Sequence, residues 1–252
     1  MASRSNWRRE LEQLPDFGPE FAILPSRTAL LVIDMQYLDA HRSYGMGKLL
    51  VERFPESGDY FCGRLERTVI PNQQRLLALF REAGMRIVHI TVGGHLPDNS
   101  DWVPLRREAD ERVERETGSK PACYTVGTFE HGILPELAPQ PGELVLNKVS
   151  RSVFTSTGID QILRNMGIDT LVLTGVMTNS CVEMAARDAA DRAYKCIVVD
   201  DACATFTQEM HDAALRTFRM LYGKVEDTHD VVAEIRAAVA EAAPPRRAGA
   251  RA

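Results

Sequence analysis

The stretch DTLVLTGVMTNSCVEMAARDAADRAYK, residues 169–195, decides the fold. Its first six residues form a short apolar run suited to a strand, and the alanine-rich segment from Cys181 onward has the composition of a helix. GVMTNS between them reads as a tight turn. A buried strand that gives way to a helix is one unit of a parallel sheet wrapped by helices. The same rhythm continues outward in both directions, with TALLVI at 28–33, RIVHIT at 86–91, ELVLN at 143–147 and CIVVD at 196–200. These runs are continuously apolar rather than alternating, as expected of strands covered on both faces.

Helices are expected over 64–83, 156–166, 181–193 and 208–222, with Gly84, Gly167 and Gly223 as candidate C-caps. Pro71 lacks a backbone donor and crowds the preceding turn, so a helix start or kink is expected near it. The segments 35–63 and 92–142 read as irregular, the first for its glycines and aromatics, the second for its charged and proline-rich stretches. Both follow the carboxyl ends of expected strands, where open α/β sheets carry ligand-binding loops. Nothing divides the chain further: residues 1–26 read as an N-terminal extension, 27–240 as a single domain and 241–252 as a disordered tail.

With 252 residues, 44% of them hydrophobic, and a net charge of -5, the composition is that of an ordinary globular protein. It lacks the concentrated Lys and Arg of a nucleic-acid surface, and no apolar run is long enough to span a bilayer. The N-terminus lacks the apolar centre of a signal peptide, so a soluble cytoplasmic protein with no membrane or nucleic-acid partner is expected. Cys62, Cys123, Cys181, Cys196 and Cys203 are odd in number and show no CxxC pairing, which argues against a disulfide framework.

Cys181 stands out because the reading places it in the first turn of a helix, just past the carboxyl end of a strand. Unpaired N–H groups and the helix dipole favour a thiolate there, and Asn179 or Ser180 would cap the helix. TALLVID ends at Asp34 and ELVLNK at Lys148, so both side chains should emerge at the same edge of the sheet. Either alone is explained equally well as a solvated charge. Together with Cys181 they form a set that could supply a nucleophile, a proton acceptor and a stabilising cation. Backbone donors in the GVMTNSC turn are natural partners for an oxyanion.

VIDMQ at 32–36, NKVSRSVFTST at 147–157, GVMTNSCVE at 175–183 and DAADRAYKCIVVDDACAT at 188–205 resemble the cysteine hydrolases of the isochorismatase-like superfamily, which includes N-carbamoylsarcosine amidase, ureidoacrylate amidohydrolase, biuret hydrolase and nicotinamidase. The resemblance runs from about residue 27 to 235. It implies a doubly wound parallel sheet with helices on both faces, a catalytic Asp34–Lys148–Cys181 set, an oxyanion hole from the N–H groups of Met177 and Cys181, and a cis peptide between Val176 and Met177. It also implies a homo-oligomer, dimer or tetramer. The presence of a cysteine favours amide hydrolysis over isochorismatase-type chemistry.

Nicotinamidase-like members bind a metal through an Asp-x-His pattern that HITVGGHLPDNSDW at 89–102 does not reproduce, so neither a metal nor another cofactor is expected, and His95 reads as a loop histidine. Gln36, Tyr37, Arg151, Phe154 and Gln208 are candidates for substrate contact, as is Tyr44. Arg151 could bind a carboxylate. Each of these could instead pack a loop or face solvent. The leading expectation is a cysteine-dependent amidohydrolase cleaving a small linear amide, N-carbamoyl or ureido compound, biuret-like favoured, through a thioester. The alternatives are a non-amide hydrolase of the isochorismatase type and a catalytically silent scaffold that binds a partner protein.

Overall fold

The computed structural model describes residues 7–15, 17–119 and 124–242, so Cys123 and the tail beyond 242 lie outside the described residues. The strands are β1 (Thr28–Ile33), β2 (Arg86–Val92), β3 (Leu144–Lys148), β4 (Thr170–Val176), β5 (Lys195–Ala204) and β6 (Lys224–Glu226). They form one sheet in the order β3-β2-β1-β4-β5-β6, and every pairing is parallel. The helices are α1 (Trp7–Leu11), α2 (Tyr37–Ala40), α3 (Gly45–Arg53), α4 (Pro55–Arg64), α5 (Ile70–Glu82), α6 (Pro104–Thr117), α7 (Val153–Ser156), α8 (Ile159–Asn165), α9 (Glu183–Asp191), α10 (Gln208–Leu221) and α11 (Thr228–Ala242).

The continuous apolar runs of β1, β2, β4 and β5 are explained by two cores, one on each face, whereas β3 at the sheet edge leaves Val145 exposed, which corrects the expectation for that run. In β1, Leu30 and Val32 pack with α4, α5 and α11, whereas Ala29, Leu31 and Ile33 pack with α8, α9 and α10. β4 and β5 divide in the same way, Val172 and Ile197 to one side, Leu171 and Val198 to the other. Chain direction across the sheet reverses between β1 and β4, which are neighbours. A doubly wound sheet opens a crevice at this switch point, beyond the carboxyl ends of the two strands.

Several expectations are corrected. The segment 35–63 is not irregular but carries α2, α3 and α4. Its glycines permit close packing: a Cβ on Gly58 would lie 2.6 Å from the Val51 nitrogen. Within 92–142, the charged run forms α6, which begins at Pro104 and ends at Gly118 in the left-handed conformation. The expected helix over 64–83 instead contains a π-helical turn at Leu65–Val69 before α5, with Pro71 in the first turn of α5. That placement suits a residue with no N–H to donate. Gly84 and Gly167 have the positive φ of C-caps, but Gly223 does not; it is small because a Cβ there would meet the Cys196 carbonyl at 2.3 Å.

Candidate active site

Asp34 follows β1, Lys148 ends β3 and Cys181 lies in the turn after β4, so the topology brings three distant residues to one edge of the sheet. Lys148 Nζ donates to Asp34 Oδ2 at 2.8 Å and lies 3.4 Å from Cys181 Sγ. Lys148 is 0% and Asp34 1% exposed, whereas Cys181 is half-buried and lines a cavity. Two backbone features make this convergence possible. Asp34 has φ +54°, in the left-handed region, which turns the chain away from the strand direction. Gly175 lets β4 press against β1, because a Cβ there would lie 2.0 Å from the Ile33 oxygen. The peptide between Val176 and Met177 is cis.

Burial governs the protonation states. It pushes the Asp34 carboxyl above its ordinary range, against the pull of the Lys148 ammonium. Burial alone would lower Lys148, but its ion pair with Asp34, helped by its contact with Cys181, outweighs burial and holds the ammonium above its ordinary value. Cys181 is pushed up to about 12, chiefly by burial, with Lys148 opposing and Asp34 reinforcing the shift. The expected resting thiolate is therefore corrected to a resting thiol. The turn itself is π-helical over Thr178–Val182 rather than the first turn of α9, and Asn179 accepts from Thr205 Oγ1 at 2.7 Å instead of capping. Asp34 Oδ1 is buried without a hydrogen-bond partner among the described residues, and the thiol interacts with this carboxyl.

The cavity beside Cys181 measures about 70 Å³. One ordered water needs roughly 10–15 Å³, so the space suits a molecule of only a few heavy atoms. Met177, Ser180 and Cys181 line its reactive side, and Asp39, Trp102, Arg106 and Tyr124 line the rest together with apolar Val92, Val103 and Phe206.

Of the residues expected to contact substrate, Arg151 lines the cavity and is exposed. The other four are placed elsewhere. Gln36 is 0% exposed and pins the loop after β1: its Nε2 donates to His131 O at 2.7 Å, and its Oε1 accepts from Val92 N at 2.8 Å. Tyr37 packs against Phe129 with tilted rings 4.5 Å apart and also meets Tyr44, which packs a loop rather than the cavity. Phe154 packs in the core with Tyr194, and Gln208 bonds Tyr60 and Asp212. His95 lies 3.3 Å from Asn147 Nδ2 in a loop held by Asp101.

Sequence reasoning missed Asp39, Trp102, Arg106 and Tyr124. Arg106 could have been found from Pro104 and Gly118, which bracket α6 in the usual order. On that helix Arg106 pairs with Asp110 one turn later at 3.0 Å, and it donates to the Tyr124 hydroxyl.

Comparison with known proteins agrees with this topology. An isochorismatase domain model matches residues 28–230. Ureidoacrylate amidohydrolase RutB of Methylobacterium radiotolerans is 31% identical over 224 residues, covering 85% of this chain and 81% of that protein. The crystal structure of N-carbamoylsarcosine amidase from Thermoplasma acidophilum is 26% identical with a TM-score of 0.55, covering 80% of this chain and 96% of that one. A cysteine hydrolase from Pseudomonas syringae pv. phaseolicola superposes with a TM-score of 0.71 at 23% identity, over 89% of this chain and 99% of that one, and so speaks for the fold. Since the matched region runs from the first residue of β1 into α11 and takes in the whole sheet with its switch-point crevice, the chain belongs to the isochorismatase family of hydrolases.

Proposed function

We propose that this hydrolase is a cysteine-dependent amidohydrolase that cleaves the C–N bond of a small linear amide, N-carbamoyl or ureido compound, with biuret-like molecules favoured. The observation that carries this reading is the contact of Lys148 Nζ with both Asp34 and the cavity-lining Cys181. Support comes also from the amidohydrolase relative, whose name describes action on a ureido compound.

In this mechanism Asp34 accepts the Cys181 proton as Sγ attacks the carbonyl carbon, so no resting thiolate is needed. The raised carboxyl is a stronger base than an ordinary aspartate and a weaker one than the thiolate it releases, so proton transfer advances together with S–C bond formation. Lys148 stays protonated throughout and stabilises both anions. The backbone N–H groups of Met177 and Cys181 receive the oxyanion. Asp34 then returns its proton to the departing nitrogen as the C–N bond breaks, which leaves a thioester on Cys181. Water, deprotonated by Asp34, attacks the thioester; the acid leaves and the thiol is restored.

The test is mass spectrometry of the intact protein after brief exposure to a library of amides and ureido compounds, with released ammonia assayed in parallel. An acyl adduct confined to Cys181 is expected. Full turnover by Cys181→Ala would remove the proposed nucleophile, and products lacking ammonia or an amine would favour non-amide hydrolysis.

A further inference from the structure

Asp39 lies in the short helix α2 and lines the same cavity as Cys181. Its side chain is half-buried and accepts no hydrogen bond from any other described residue. The charged groups that act on it come from other elements: Asp34 beyond β1, Lys148 at the end of β3, and Arg106 and Asp110 on α6. Asp34 and Lys148 neutralise one another, and Arg106 is committed to Asp110 and the Tyr124 hydroxyl. Among these groups an ionised Asp39 is therefore the unmatched charge. Arg151 also lines the cavity, but it is exposed, and solvent screens it.

Trp102 lines the cavity as well. Trp102 is 7% exposed, and its Nε1–H is buried with no acceptor among the described residues. The cavity thus offers one acceptor, the Asp39 carboxylate, beside the Trp102 ring. A primary carboxamide presents complementary N–H donors and carries no charge.

We propose that Asp39 is the specificity-determining residue of this site: beside the Trp102 ring it binds the non-reacting end of the substrate when that end is a neutral carboxamide or carbamoyl group, and it rejects a carboxylate there. The inference rests on the amidohydrolase reading and narrows its substrate to ureido compounds with an uncharged amide at the far end. Like-charge contact in a partly desolvated site is an effective way to exclude an analogue of equal size. Burial pushes the Asp39 carboxyl up to about 7, so its rejection of anions should strengthen as pH rises through neutrality.

The experiment compares N-carbamoylglycinamide with N-carbamoylglycine, which differ only in a terminal carboxamide against a carboxylate. The kcat/KM ratio of amide to acid should favour the amide in the unaltered enzyme and rise with pH across about 7. In Asp39→Asn the ratio should fall by about tenfold or more and lose its pH dependence. Titration of Asp34 or Cys181 acts on both substrates alike and cancels in the ratio. A ratio unchanged in Asp39→Asn overturns the proposal. If the unaltered enzyme turns over neither compound, the amidohydrolase reading fails for them, and the same ratio is read as relative affinity by calorimetry in Cys181→Ala with and without Asp39→Asn. Equal affinities for the two compounds in Cys181→Ala, or binding of neither, also overturn it.

Discussion

Lys148 donates to Asp34 across 2.8 Å in a space where neither side chain meets solvent. Burial of the two charges is expensive, and each is tolerable only because of the other. Lys148→Met should therefore do two separable things. Asp34, without its ammonium, should take up a proton at neutral pH, so turnover should fall by about 10²–10⁴-fold through loss of the base. Stability should fall by roughly 3–5 kcal/mol, and adding Asp34→Asn should restore much of it but none of the activity. Urea unfolding of the two single variants and the double variant measures this. A double variant no more stable than Lys148→Met would mean that the pair is not what makes either charge tolerable.

The thiol of Cys181, pushed up to about 12 by burial, should be protonated in the resting enzyme. The difference in ultraviolet absorbance between the unaltered protein and Cys181→Ala should accordingly show no thiolate band near neutral pH. Iodoacetamide, which requires a thiolate, should label the resting enzyme slowly despite the cysteine's access to the cavity. A thiolate band at pH 7 would contradict the proton transfer assigned to Asp34.

The positions of Asp34, Lys148 and Cys181 were legible because each follows an apolar run, and parallel strands put their carboxyl ends on one edge. The resting state of the sulfur was not legible: a helix start argues for a thiolate, and only the enclosing atoms show that burial wins. Gln36 misled for a related reason. A polar residue just past a strand end looks like a ligand contact, yet its amide replaces backbone partners for the loop from Val92 to His131. The cavity wall was hidden because Asp39, Trp102 and Tyr124 come from separate loops and helices, with no period linking them. β6 escaped notice at three residues, too short to show any pattern.

Asp39 also makes a prediction about stability. Its carboxyl is raised from an ordinary value to about 7. Between about pH 4 and 7 the folded protein therefore binds more protons at this site than the unfolded chain, and stability falls as pH rises through that window. Asp39→Asn should remove the penalty, raising stability at pH 8 relative to the unaltered protein by on the order of 1–3 kcal/mol after allowance for solvent screening of a half-exposed group. Little difference is expected at pH 4. Thermal unfolding of both proteins across this range is the measurement, and a gap that stays constant with pH would assign the effect to something other than Asp39 ionisation.

His211 should act on the reaction without touching substrate. Its Nδ1 lies 2.8 Å from the hydroxyl of Thr178, which sits between Met177 and Cys181 in the turn that lines the cavity. Its Nε2 lies 2.9 Å from both Asp200 Oδ1 and Arg64 Nη2, and Arg64 donates to the backbone oxygens of Asp200 and Cys203. The ring thus ties the turn to β5 through a network in which His211 and Thr178 are buried and Arg64 and Asp200 partly so. His211→Ala should leave the buried Thr178 hydroxyl without its partner and cost roughly 1–3 kcal/mol. It should also lower kcat by about tenfold or more with KM little changed, because the oxyanion donors are displaced while the rest of the cavity stays. Burial holds His211 below its ordinary value, so the unfolded chain binds the extra proton first as pH falls through about 6.5, and stability is lost in that range. That acid-side loss should be smaller in His211→Ala. If kcat is untouched, the network supports the fold alone and has no hold on the turn.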